Sequence, residues 1–238
     1  MATVTSPPPP ASSAPPAPCP SFVTTEDQRI AIRDVPWDLY DRLSDAIPEG
    51  EPVYLAFDGK DLEIMTLGRV HEDFKDLLSQ LVTAVADDLR IRRRGAGQTT
   101  WKRPEIQRGL EADLCYYFRA DKLEQDRDAR KRRARGIANY PNPDLAIEID
   151  ISPSQIDRPG IYQALKVAEI WRFDGHSLVI EQLGPDGAYV PVGSSQFLPI
   201  RAEEVVRWVV EEDTDDLPAW RERLRTWVLA ELAPRMKV

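Results

Sequence analysis

Asp144-Leu145-Ala146-Ile147-Glu148-Ile149-Asp150-Ile151 alternates without a break. In an extended chain Leu145, Ile147, Ile149 and Ile151 point one way, and Asp144, Ala146, Glu148 and Asp150 point the other. Alternation this regular predicts a β-strand packed on at least one face. Its second face is the informative one, because carboxylates on one strand face repel unless something positive sits against them. A divalent cation or arginine side chains would supply that charge; a solvated face would avoid the conflict. Spacing sorts the acids. Asp144 and Glu148 are about 13 Å apart along a strand, too far to share an ion, whereas Glu148 and Asp150 are about 6.6 Å apart. Asp113 lies in a preceding aromatic-rich strand, residues 112–118. If the two strands form an antiparallel hairpin, its carboxylate meets Glu148 across the ladder. Hard oxygen donors of this kind suit Mg²⁺ or Mn²⁺.

Residues 37–43 are expected to form a short helix. Residues 53–57 and 62–65 flank Asp58-Gly59 as a hairpin. Residues 69–89 carry Val70, Phe74, Leu77, Leu78, Leu81, Val82, Val85 and Leu89 on one stripe, which predicts a helix about 30 Å long. A strand is expected at 99–103. Residues 121–135 are highly charged without an apolar stripe and suggest an exposed, helical insertion closed by Pro141 and Pro143. Beyond the acidic strand the pattern predicts a helix at 155–167 and strands at 169–173, 176–183 and 189–192. The remainder reads as helical, in two segments broken near Pro218. This is an α/β (α+β) order. We expect one domain over residues 21–210, a helical extension over 211–238 and, at 1–20, a disordered tail with eight prolines.

Composition excludes several classes. The formal net charge is −9, from 31 basic and 40 acidic residues. That counts against stoichiometric coating of nucleic acid but leaves room for a nuclease with local basic patches. No apolar run approaches the roughly 20 residues of a membrane span, and the N-terminus lacks the pattern of a secretory signal. A soluble, cytoplasmic protein without membrane partners is expected. Cys19 and Cys115 are expected as free thiols. His71 and His176 are too few for a typical zinc hydrolase, which takes about three protein ligands. No phosphate-binding P-loop is present. Ser152-Pro153-Ser154 has no histidine near it in sequence, against a serine hydrolase.

Glu111-Ala112-Asp113-Leu114-Cys115-Tyr116-Tyr117, Pro143 to Ser152, Ile161-Tyr162 and Glu169-Ile170-Trp171-Arg172-Phe173-Asp174 together resemble the Uma family of restriction-endonuclease-like proteins. Leu62-Glu63-Ile64-Met65 and His71-Glu72 are similar too, so the resemblance covers roughly residues 35–210. Uma proteins fall in the PD-(D/E)XK nuclease superfamily. The resemblance implies a restriction-endonuclease-like mixed central sheet flanked by helices and metal-dependent hydrolysis of phosphodiester bonds. Asp113 matches the aspartate of the second core strand, although Ala112 stands where many members have proline. Glu148 matches the acid of the third strand. His71 or Glu72 matches a position that often supplies a further ligand, which gives Asp113, Glu148, His71 and Glu72 as the implied metal set.

One position departs from the superfamily. Asp150 stands where the motif places a lysine that would orient the attacking water and stabilise charge on the phosphate. Arg158, Lys166, Lys102 and Arg103 are candidates for the missing cation; Arg158 is preferred because it opens the helix after the acidic strand. The expected catalytic set is Asp113, Glu148, Asp150 and Arg158, with Mg²⁺ or Mn²⁺ as cofactor. Arg92, Arg93, Arg94, Lys102 and Arg103 are candidates to contact nucleic acid, and residues 127–135 add a second basic run. The sequence therefore suggests an endonuclease acting on DNA as a homodimer. The alternative is a catalytically degenerate relative that binds nucleic acid or serves as a dimeric interaction module.

Overall fold

A computed structural model describes residues 27–48 and 51–237. The proline-rich stretch and Cys19 lie outside them. In chain order the regular elements are β1 (Gln28–Ile32), α1 (Trp37–Ala46), β2 (Tyr54–Phe57), β3 (Leu62–Thr66), α2 (Arg69–Asp88), β4 (Arg94–Gly95), β5 (Thr99–Arg103), β6 (Arg108–Ala112), β7 (Leu114–Tyr117), α3 (Ala120–Lys131), β8 (Leu145–Ile149), α4 (Arg158–Ala164), β9 (Glu169–Phe173), β10 (Leu178–Leu183), β11 (Tyr189–Val192), α5 (Ala202–Val206) and α6 (Leu217–Trp227). Pi-helical turns at Arg207–Glu211 and Val228–Leu232 extend the last two helices.

These strands make two sheets. Five form an antiparallel sheet in the order β1-β3-β2-β6-β5; six form a mixed sheet in the order β11-β10-β9-β8-β7-β4. The chain crosses from one to the other inside the predicted strand at 112–118. β6 ends at Ala112 in the antiparallel sheet, β7 begins at Leu114 in the mixed one, and Asp113 is the bend between them. β7 and β8 pair antiparallel, with Leu114 opposite Ile147. β8 and β9 are parallel, with Glu148 opposite Arg172. A parallel pair needs a crossover, and α4 provides it.

β8 is buried on both faces, as the central strand of a layered α/β structure should be. On one side Leu145, Ile147 and Ile149 join Leu78, Leu81, Val82 and Val85 of α2 in the main core. On the other, Ala146 packs with Ile161, Tyr162 and Leu165 from the α4 region and with Trp101, Leu110 and Ala112 of the antiparallel sheet. Glu148 shares that second face with Ala146, so its carboxylate points into protein and not into solvent. The solvated-face reading is thereby removed.

The C-terminal helices belong to the main core. Trp220 and Leu224 of α6, then Val228 and Leu232, are buried in the same cluster as α2 and β8. Trp208 meets the rings of Trp220 and Trp227 at 6.2 and 5.4 Å between centroids, and Trp220 Nε1 donates to the Trp208 carbonyl at 2.9 Å. No helix among the described residues is long and apolar enough to cross a membrane. Cys115 is a buried free thiol. Leu224→Ala should therefore cost about 2–5 kcal/mol, read by urea unfolding; a loss below about 1 kcal/mol would show that α6 only rests on the domain.

Candidate active site

The strand switch places the first acid. Where β7 leaves β6, the ladder beside β8 ends at Leu114 and Ile147. The Ile149 amide then has no strand partner on that side, and a buried N–H must find one. Asp113 supplies it: its Oδ2 accepts from Ile149 N at 2.8 Å. The same carboxylate is thus fixed one step along from Glu148 on the adjoining strand.

His71, in the first turn of α2, approaches the other oxygen. Its Nε2 lies 3.0 Å from Asp113 Oδ1 and its Nδ1 lies 3.1 Å from Asp27 Oδ2. Two carboxylates at the two ring nitrogens require both to donate, which is the imidazolium form. Burial favours the neutral ring, but hydrogen bonds and charge from Asp113 and Asp27 outweigh it and raise the pKa to about 9. This corrects one sequence expectation. His71 reaches the site as a cation clamped between two acids, with no lone pair left for a metal. Glu72 points elsewhere, pairing with Lys75 at 2.6 Å near the surface.

Glu148 is held by α4. Arg158 donates through Nη2 to one oxygen and the Tyr162 hydroxyl donates to the other. Asp157 caps α4 by accepting from Gly160 N at 2.9 Å; a Cβ on Gly160 would sit 2.2 Å from that carboxylate. The cap fixes Arg158 at the helix start, and Tyr162 follows four residues later on the same face. Burial raises the Glu148 pKa most. Arg158 opposes this, while Asp113 and Asp150 add to it, and the result is about 8. Arg158 does not by itself offset the burial of Glu148 and the two neighbouring acids.

A second layer was not legible in the sequence. Arg29 of β1 donates to Glu63 of β3 at 2.8 Å and to Ser152 Oγ at 2.9 Å, and lies 3.6 Å from Asp150. Glu63 also accepts from Ser154 Oγ at 3.0 Å and Gln155 N at 2.7 Å, and stands 3.9 Å from Arg158. β1 hides because its pattern is inverted: Ile30 and Ile32 are 63% and 42% exposed, while the Arg29 side chain is 4% exposed. Tyr162 and Glu111 did leave a signal. Tyr162 is four residues from Arg158 on one helix, and Glu111 is two residues from Asp113 on one strand face. Burial, then Asp113, raises the Glu111 pKa.

Asp150 is mostly buried, and its Oδ1 has no hydrogen-bond partner among the described residues; burial raises its pKa. Asp144 is elsewhere, as its spacing predicted, accepting from the amides of Phe118 and Arg119 and pairing with Lys122 at 3.1 Å. Lys102 is engaged by Asp41 and Asp45. Arg103 is turned inward, donating to the carbonyls of Ile137 and Tyr140 at 3.0 and 2.8 Å. That geometry removes Arg103 as a surface phosphate contact. Lys166 lines a separate surface cavity. Arg92, Arg93 and Arg94 lie at the other end of β7.

The profile of the Uma2 family, described as "Putative restriction endonuclease", matches residues 37–212. The chain belongs to the Uma2 family. No curated protein matches it. The Uma2 match contains Asp113, Glu148, Asp150, Arg158, Tyr162 and His71, whereas Asp27 and Arg29 precede it and α6 follows it.

The residues of this Uma2 site fit a divalent cation on two grounds. Among the described residues Asp150 Oδ1 is a buried acceptor with no hydrogen-bond donor, its nearest cation being Arg29 at 3.6 Å, and burial, with Asp113 and Asp150 adding to it, raises the Glu148 pKa to about 8 in spite of Arg158. Each carboxylate of the pair keeps acceptor capacity, since a carboxylate offers about four lone-pair sites and two of them are used. Among the described residues no three His, Cys, Asp or Glu side chains form a ready-made metal cage. Two carboxylates completed by backbone carbonyl and water match the way Mg²⁺ is usually held.

The clamp on His71 makes a stability prediction for the metal-free protein. A pKa raised from 6.5 to about 9 means protons are bound more tightly in the folded state. The clamp's contribution should be full below pH 6.5 and vanish as pH rises through about 9. Urea unfolding of wild type should lose stability across that window, and His71→Gln should lose less, keeping only the part that Glu148 contributes as it ionises through about 8; parallel pH profiles would refute the imidazolium assignment.

Proposed function

We propose that this chain is a metal-dependent endonuclease that hydrolyses phosphodiester bonds in DNA, with Asp113 and Glu148 as ligands for Mg²⁺ or Mn²⁺. The observation that carries this reading is a pair of buried carboxylates, Asp113 at the bend into β7 and Glu148 on the adjoining β8, each held by hydrogen bonds that leave it acceptor capacity. When bound, the ion would polarise a phosphate oxygen and lower the pKa of a water.

The chain's own residues do the rest. Asp113 is oriented by His71 and by the Ile149 amide, so it needs no reorganisation to act as a ligand. Glu148 is oriented by Arg158 and Tyr162. The Ile149 carbonyl, next to both, would complete the ligand set. Asp150, whose Oδ1 accepts no hydrogen bond among the described residues and whose pKa burial raises, would accept a proton from the attacking water. Arg158 takes the part left open by the absent lysine. It brings a permanent charge beside Glu148 and can offer guanidinium N–H groups to the non-bridging phosphate oxygens. Two copies acting together would cut both strands of a duplex.

The second reading is a degenerate nuclease fold that binds nucleic acid without cutting. It is favoured by the hydrogen bonds that both Glu148 oxygens already accept. Cleavage of plasmid and single-stranded DNA with Mg²⁺ or Mn²⁺ separates the two. We expect nicking or linearisation that needs metal and drops about 10²–10³-fold, the scale of losing one transition-state electrostatic contact, in Asp113→Asn and Glu148→Ala. Arg158→Lys should keep more activity than Arg158→Gln. Full activity in Asp113→Asn would sink the metal-site assignment, and metal-dependent binding without cleavage in wild type would favour the second reading.

A further inference from the structure

The two basic runs singled out in the sequence converge. Arg92, Arg93 and Arg94, before and at the start of β4, and Arg127 and Arg130 of α3 line one cavity of about 270 Å³ with Asp126. Five arginines thus line the cavity with one carboxylate; Arg130 is paired with Asp126 at 2.8 Å and Arg127 with Glu124 at 2.8 Å and Asp128 at 3.4 Å, which leaves Arg92 and Arg94 as the free charges among the described residues. Arg93 is braced from below by Thr83 O at 3.4 Å and Asp87 at 3.1 Å, while its Nε is a buried donor without a partner. Arg92 and Arg94 are exposed, and among the described residues neither makes an ion pair or a side-chain hydrogen bond. Like charges gathered this way raise the energy of the folded chain unless an anion is there to meet them.

We propose that this arginine groove binds the phosphodiester backbone of nucleic acid, at a place separate from the carboxylate cluster. Guanidinium groups match phosphate oxygens in pairs, and the groove is wider than one phosphate needs. Its basic character continues along the chain, since Lys131 at the end of α3 and Arg132, Arg133 and Arg135 just after it are also exposed. An extended polyanion fits such a track better than a compact anion does. The groove does not do the chemistry. Arg94 pairs with Tyr117 at the far end of β7, four residues from Asp113 and so about 13 Å along the strand. That span equals about four nucleotide rises of one DNA strand, which makes the groove an anchoring subsite. As an anchor for a substrate, the inference rests on the nuclease reading; as a binding site, it does not need cleavage.

The test uses the full chain in EDTA, with a fluorescent 20-base-pair duplex read by anisotropy across a salt series. Wild type should bind, and the double variant Arg92→Ala/Arg94→Ala should bind at least about tenfold more weakly, with the salt dependence of log K reduced by about 2. Arg94→Glu should weaken binding further. Thermal unfolding checks that the variants keep their fold, which substitution of exposed side chains should allow. Equal affinity and equal salt slope in the double variant would overturn the proposal, as would no binding by wild type. Tripolyphosphate binding that depends on Arg92 and Arg94, with duplex binding unaffected, would also overturn it, because the groove would then serve a free phosphate compound. Cleavage with an unchanged salt slope refutes the groove alone; arginine-dependent binding without cleavage refutes the nuclease reading alone.

Discussion

The Asp113 carboxylate stands at the point where a strand changes sheets. A chain passing from one sheet into another must abandon a ladder, and the amide it abandons, that of Ile149, is buried. Leaving such a group unsatisfied costs about 1–3 kcal/mol. Asp113 fills the gap with its own side chain, which brings a carboxylate into the interior and creates a demand for further donors. His71 meets that demand, and Asp27 meets the surplus on His71. The fold and the site therefore share one cause. The bend that lets β6 and β7 serve two sheets also puts a carboxylate beside Glu148.

Charge accounting around the pair explains why the site is both stable and unsatisfied. Asp113, Glu148, Asp150 and Glu63 face Arg158, Arg29 and His71. His71 is shared with Asp27, and Glu111 adds a further acid whose pKa burial and Asp113 raise. Arginine is suited to this position because it stays charged when buried, where a lysine would lose its proton more readily. Yet Glu148 still stands raised to about 8. An arrangement meant only to hold strands together would do better with apolar side chains, since buried ion pairs often give no net stability over them. Residual demand for a cation is the property expected of a site that receives one.

The sequence made the central strand legible because β8 alternates strictly and its acids have no other reason to lie there. It made Asp113 and Glu148 neighbours through strand order alone, and the spacing argument rightly set Asp144 aside. Arg158 was legible from its place at the start of α4. His71 was found by position, but its chemistry was not, because the second carboxylate comes from Asp27, 44 residues earlier in the chain. Arg29 was hidden by a strand that turns its arginine inward and its isoleucines outward. Binary patterning assumes the reverse, and here an ion pair with Glu63 decides which face is buried. The split at Asp113 was hidden too, since residues 112–118 read as one strand and nothing local distinguishes one sheet from the next.

The α4 helix links topology to chemistry. It exists because β8 and β9 run parallel and need a crossover, and it has only seven residues. Its N-cap at Asp157 leaves Arg158 at the first position, and one turn later Tyr162 falls on the same side. Both ends of the Glu148 carboxylate are thus covered by a single short helix. A ligand that needs Glu148 must share it with α4 or displace a donor. Sharing is possible because each oxygen retains a lone-pair site; displacement would strand a buried guanidinium beside three acids. Sharing is therefore the favoured arrangement, and it keeps Arg158 within reach of whatever Glu148 holds. The residue that neutralises Glu148 is then the same residue that, on the nuclease reading, would face a substrate phosphate.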